Sequence, residues 1–157
     1  MVSPQNPFKV KASLLNEYDR LHLVELAIEE NNNLRASNFE FNLPRPSYTI
    51  DTLGRLREKY PNHDFSLIMG GDNLKSLPRW KHADRIINDY RIFVYNRAGA
   101  DGAELKDHPQ VTVLDLPLLH ISASFVRKCI KDKVSVKYLL PNKVHQYILE
   151  MNLYKNP

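Results

Sequence analysis

With one cysteine in 157 residues, Cys129, the chain has no internal disulfide framework and no metal site built from cysteines. Cys129 falls in an apolar helical stretch, which reads as packing. No apolar run approaches the length of a membrane span, and no signal-peptide pattern opens the sequence. There is no block of like charges, no internal repeat and no low-complexity segment. The net charge is only +4, with a pI near 9.1. That balance favours phosphate-bearing ligands, but no basic stripe interleaved with aromatics marks a nucleic-acid surface. The expectation is a soluble cytoplasmic protein with neither membrane nor nucleic-acid partners. Apolar residues make up 43% and charged residues 25%, enough for one domain (residues 1–157) with a real core.

What is present centres on Phe65–Trp80, FSLIMGGDNLKSLPRW. Phe65 to Met69 is nearly unbroken apolar sequence, the pattern of a strand buried on both faces. Gly70 and Gly71 permit a sharp turn and close approach of a ligand, and Asp72 follows at once. Ligands of open parallel sheets sit at the carboxyl ends of strands, where Asp72 would meet a hydroxyl-bearing substrate. Trp80, the only tryptophan, comes after Pro78. A strand, a tight turn and a core tryptophan would account for the same residues.

Elsewhere, Met1–Phe8 holds two prolines and reads as a loop leaving a strand, followed by Lys9 and Lys11. Asn16 is positioned to cap a helix over Glu17–Glu30, with Tyr18, Leu21, Val24 and Ile28 on one face. Leu34–Phe41 reads as a strand with imperfect alternation. Thr49 is placed to cap a second helix, with Asp51 in its first turn and Ile50, Leu53, Leu56 and Tyr60 spaced for burial. A short helix is expected over Lys81–Asn88, a compact apolar strand over Arg91–Tyr95 ending in Asn96-Arg97, a loop over Ala98–Pro109 and a strand over Val111–Leu114. The order indicates an α/β protein with a mostly parallel sheet.

Ile121–Ile130, ISASFVRKCI, is the second strong local signal. Ser122 can cap a helix, with Ile121 and Val126 as a hydrophobic staple. Ser124 and Arg127 are spaced to share a face of the first turn. A hydroxyl, a guanidinium and bare N–H groups together suit a phosphate. An ordinary capped helix with a solvated arginine is the simpler reading of that stretch alone. A last helix follows Pro141, with Val144, Ile148 and Met151 on one side.

SPQNPFK, SYTIDTL, IMGGDNL with Trp80, VYNRAG, HISASFVR and YLLPNKVHQYI occur in one order. This series resembles bacterial nicotinate-nucleotide adenylyltransferases, members of the nucleotidyltransferase superfamily. The resemblance implies a Rossmann-like sheet with helices on both faces. It implies transfer of AMP from ATP to nicotinate mononucleotide, releasing pyrophosphate. Asp72 would bind substrate ribose, and Trp80 would stack on the pyridine ring. Tyr48 and Thr49 would seat the nicotinate carboxylate, and Lys9 would approach a substrate phosphate. Ser122, Ser124 and Arg127 would hold the ATP phosphates, with Arg97 near the ATP side. Mg2+ would screen the polyphosphate rather than sit on a protein metal site. No residue need act as acid or base, because positioning and charge stabilisation carry such chemistry. Oligomeric state is left open, and a homo-oligomer is compatible with the pattern.

The sequence also departs from the family. Relatives open with a strand, a glycine-rich turn and an HxGH motif whose histidines contact the reacting phosphates. None of the six histidines here has that spacing, so no catalytic residue is identified. Met1-Val2 aligns with the end of the family's second strand. Phe8 stands where many relatives have histidine, weakening a phosphate contact, and Lys81 where some have an aromatic. The expectation is a chain incomplete at its N-terminus, lacking the first βα unit of roughly 30 residues. Open reading would continue upstream of Met1 and contain HxGH, and the polypeptide as it stands would have little or no turnover. Strands beside the missing one would expose unpaired backbone groups and an apolar face. The alternatives are a non-catalytic nucleotide-binding remnant and an adenylyltransferase for another acceptor, such as phosphopantetheine. A nucleic-acid-binding module ranks last.

Overall fold

The computed structural model describes residues 1–4, 15–95, 103–117 and 120–155. In chain order its helices and strands are α1 (Glu17–Ile28), α2 (Thr49–Lys59), β1 (Ser66–Gly70), α3 (Gly71–Ser76), α4 (Ala83–Asp89), β2 (Arg91–Tyr95), β3 (Val111–Leu114), α5 (Ala123–Lys131) and α6 (Asn142–Glu150). They fall into two compact units: Pro46–His120, and Met1–Arg45 with Ile121–Pro157. Among the described residues, no helix is long and apolar enough to cross a membrane.

The Pro46–His120 unit is built on a parallel sheet in the order β1-β2-β3. Its register pairs Met69 with Val94 and Val94 with Val113. Parallel neighbours cannot be joined by a tight hairpin, so α3 and α4 carry the chain from β1 to β2. The β-branched and aromatic run RIFVY suits β2, whose Ile92 and Val94 are buried while Arg91 is exposed. Met69, Ile92 and Val94 pack with Ile50 and Leu53 of α2, Leu74 of α3, Leu77, and Ile86 and Ile87 of α4. Leu74, Leu77, Ile86 and Ile92 are fully buried, each contributing about 1.5–3 kcal/mol relative to exposure.

The Met1–Arg45 and Ile121–Pro157 unit has helices as its regular elements. Val126 and Ile130 of α5, Val136, and Val144 and Ile148 of α6 form its core. Leu23 and Leu26 of α1 pack against them, as does the free Cys129. His22 of α1 meets Tyr147 of α6 edge to face at 4.6 Å. Asn16 caps α1 as expected, its Oδ1 accepting from the Tyr18 N–H at 2.8 Å.

Several expectations need correction. Leu34–Phe41 is not a strand: it contains the start of a 3₁₀ turn (Phe39–Asn42), and Val2 N–H donates to the Ser37 carbonyl at 2.9 Å. A strand requires a ladder, and one bond with imperfect alternation does not make one. The apolar face of α1 is misplaced, since Tyr18 and Val24 are exposed while Leu23 and Leu26 face the core. Tyr18 instead meets Phe41 edge to face at 5.3 Å. The strand near Phe65 is not buried on both faces. Ile68 is 74% exposed, because β1 stands at the edge of the described sheet and the helices pack on the Met69 side.

The residue before α2 is Tyr48, and Thr49 is already helical. Likewise α4 starts at Ala83 rather than Lys81, since His82 adopts a left-handed φ of 50° that resets the chain direction. Gly70 and Gly71 form no left-handed turn. Gly70 is extended (φ −78°, ψ 157°), Gly71 opens α3, and both are buried.

Candidate functional site

In the Pro46–His120 unit, the strand-to-helix junction β1–α3 puts Asp72 in the first turn of α3, just past the carboxyl end of β1. Asp72 is exposed, and its negative charge suits a helix start. Trp80 follows a 3₁₀ turn (Leu77–Arg79) that begins with the buried Leu77 and contains Pro78. The indole is half-buried against the unit's core. Its Nε1–H donates to Ser76 Oγ at 3.3 Å, and the Ser76 hydroxyl donates to the Asn73 carbonyl at 3.0 Å. The ring is thereby tied to α3, the helix that carries Asp72.

Lys81 lies beside Trp80 in sequence and reaches the start of α2. Its Nζ donates to Asp51 Oδ2 at 2.8 Å and Oδ1 at 3.0 Å. The same ammonium lies 5.0 Å from the centroid of the Tyr48 ring, a cation–π distance. Tyr48, Thr49 and Asp51 open α2, and no side chain of Tyr48 caps it. Tyr48 and Trp80 both pack on the same core. The structure therefore joins the segments around Tyr48, Thr49, Trp80 and Lys81 into one local assembly.

In the other unit, α5 begins as its sequence implies. Ser122 is the cap, and its Oγ accepts from the Phe125 N–H at 3.1 Å. Arg127 Nη2 donates to Ser124 Oγ at 3.2 Å, so these two side chains meet. Ser122 and Ser124 are exposed and Arg127 is half-buried. Tyr154 lies near Arg127 and Arg20: burial pushes its phenol above the ordinary value near 10, and the two guanidinium charges oppose the rise. Arg20 also clamps the chain near its start, donating to Leu15, Ser3 and Pro4 carbonyls at 3.1, 2.7 and 3.1 Å.

Lys9 and Arg97 lie outside the described residues, as does Phe8. Among the described residues, no group of three or more His, Cys, Asp or Glu side chains could hold a metal ion. Sequence reasoning missed Ser76, the Lys81–Asp51 pair and the Arg20 clamp. Ser76 sits four residues before Trp80, a spacing that could have suggested the contact. Lys81 and Asp51 are 30 residues apart, and nothing local signals their meeting. Arg20 reads as a helix-surface cation until its carbonyl partners are known.

The Cytidylyltransferase-like family matches residues 1–129, which defines the broad class. A relative in Flavobacterium johnsoniae is 46% identical over 157 residues, covering 99% of this chain and 81% of that protein. One in Cytophaga hutchinsonii is 44% identical over 156 residues, with the same coverages of 99% and 81%. Both bear the name "probable nicotinate-nucleotide adenylyltransferase". The chain belongs to the nicotinate-nucleotide adenylyltransferase family. The fold is also that of the Plasmodium falciparum nicotinic acid mononucleotide adenylyltransferase complexed with NaAD. That match has a TM-score of 0.77 at 20% identity, over 97% of this chain and 79% of that one.

Proposed function

We propose that the protein transfers the adenylyl group of ATP to nicotinate mononucleotide in NAD biosynthesis. An oxygen of the mononucleotide phosphate forms a bond to the α-phosphorus of ATP. The bond from that phosphorus to the β-phosphate bridging oxygen breaks, and pyrophosphate leaves. Nicotinate adenine dinucleotide is the other product. The observation that carries this reading, beyond family membership, is the assembly around Trp80. An aromatic ring tied to α3, beside a helix start with a tyrosine that the Lys81 ammonium reaches in its pair with Asp51, suits a planar ring with a polar edge.

In this reading Trp80 stacks on the pyridine ring, and Tyr48 and Thr49 seat its carboxylate. Asp72 accepts from the ribose hydroxyls. Lys9 approaches the mononucleotide phosphate. Ser122, Ser124 and Arg127 hold the ATP phosphates, where the helix start and the guanidinium oppose the developing negative charge. Arg97 attends the ATP side. Mg2+ arrives with ATP, bound chiefly by phosphate oxygens, the usual mode where no protein cage exists. The small substrates and this ion are the partners proposed, and the cytoplasm is the compartment where they occur.

A second reading is a nucleotide-binding module without turnover, for which the Trp80 assembly and the serine–arginine start of α5 would suffice. One experiment separates the two. Trp80, the only tryptophan, reports directly on ring stacking. Nicotinate mononucleotide should quench its fluorescence saturably, and ATP with Mg2+ should then yield slow pyrophosphate release. Quenching without any release would favour the binding module. No quenching would refute the acceptor assignment.

A further inference from the structure

The helical unit contains a half-open cavity of about 470 Å³ at the C-terminal ends of α5 and α6. It shares no residue with the Ser122–Arg127 turn. Its size is that of a small-molecule site rather than a flat contact surface. The buried side chains of Ile130, Val136 and Ile148 form its floor. Val134 and Leu149 line it too, yet are 56% and 48% exposed. Ser135, Lys131, Lys133, Lys155 and His145 complete the lining, and among the described residues no carboxylate joins them. Lys155 Nζ donates to Asn152 Oδ1 at 2.8 Å, whereas Lys131 and Lys133 form no ion pair with a described residue.

The two helix ends share one backbone design. After α5, Lys133 N–H donates to the Ile130 carbonyl at 3.1 Å and Val134 N–H to that of Cys129 at 2.8 Å. After α6, Asn152 N–H donates to Leu149 at 3.3 Å and Leu153 N–H to Ile148 at 3.0 Å. Both are Schellman endings, with left-handed φ of 58° at Lys133 and 51° at Asn152. Asparagine tolerates that conformation, and glycine prefers it, but lysine is strained there. Lysines near a helix end also offset its dipole, which accounts for Lys131 without a ligand. It does not account for a strained lysine beside an open apolar floor. Strain of this kind is characteristic of functional positions.

We propose that this cavity binds a small amphipathic carboxylate of the medium-chain fatty-acid type. Its chain would lie on Ile130, Val136 and Ile148 between Val134 and Leu149, and its carboxylate would meet Lys131, Lys133 and His145. An apolar chain alone would leave the cations without a partner, and a bare anion would leave the floor wet.

The test uses the full chain with anilinonaphthalene sulfonate as fluorescent probe and decanoate as competitor. The probe should saturate one site. Decanoate should displace it, with decanol at least about ten-fold weaker, and neither ATP nor nicotinate mononucleotide should compete. Lys133→Gly relieves the backbone, so Tm should hold or rise while decanoate binds about ten-fold more weakly. Lys131→Gln should weaken it in the same direction. Equal displacement by decanol would overturn the proposal. So would unchanged decanoate binding in both variants, competition by either nucleotide, or unsaturable probe uptake.

Discussion

The two units hold their candidate site residues by different means. In the sheet unit the assembly includes a long-range contact, Lys81 crossing to Asp51 and Tyr48 at the start of α2, while Trp80 is tied to α3 through Ser76, four residues before it. In the helical unit Ser122, Ser124 and Arg127 come from a single turn of α5, held by bonds no longer than three residues in sequence. The difference matches what each is proposed to bind. A planar ring needs a rigid face and a shaped edge, supplied by a fully buried core beneath. A polyphosphate needs charge and bare N–H groups, which one helix start provides.

The sharpest way to test that comparison is to remove one anchor from each unit. Trp80→Ala should have the largest effect. Loss of ring stacking costs about 1–3 kcal/mol, roughly a five- to 150-fold rise in the Kd for nicotinate mononucleotide. ATP binding should be unchanged. Arg127→Ala should do the reverse. It removes a charged hydrogen bond of about 1.5–3 kcal/mol, weakening ATP by about ten-fold or more and sparing the mononucleotide. Calorimetric titration of each ligand against each variant reads both. If both variants weakened both ligands alike, or neither did, the division of roles would be wrong.

Lys81→Met should act more weakly. Its ion pair is exposed, so stability should fall by less than about 1 kcal/mol. The mononucleotide should bind a few-fold more weakly, because Tyr48 loses the ammonium beside its ring. A larger fall in Tm than in affinity would make the contact structural only.

The smallest expected effect concerns pH. The Tyr154 phenol is raised by burial, so its neutral form is the one the fold holds. That contribution is fully present below the unfolded value near 10 and is lost as pH rises through the folded value. Urea titrations between pH 9 and about 11 should therefore show stability declining in the native chain and declining less in Tyr154→Phe.

Much of the sheet unit was legible because its signals are local and dense. Arg91–Tyr95 and Val111–Leu114 carry compact β-rich runs and form β2 and β3 over those same residues. The start of α5 was legible for the same reason, since a cap and an i, i+3 pair lie within one turn. Leu34–Phe41 misled because alternation indicates a strand only where a partner exists. The α1 face misled because apolar residues occur on two sides of that helix, and packing chose Leu23 and Leu26. Ile68 misled because an apolar run does not say whether both sides of a strand will be covered.

Residue order alone determined the α/β class, the family and the short-range chemistry: Asp72 after a strand, a capped helix with a serine and an arginine. Those features depend on neighbours within a few positions, which the chain itself supplies. Tertiary contacts alone brought Lys81 to Asp51 and Tyr48, set Arg20 on three carbonyls and left Ile68 in water. Such outcomes turn on which distant surfaces meet, and that follows from burial of the whole core rather than from any single stretch.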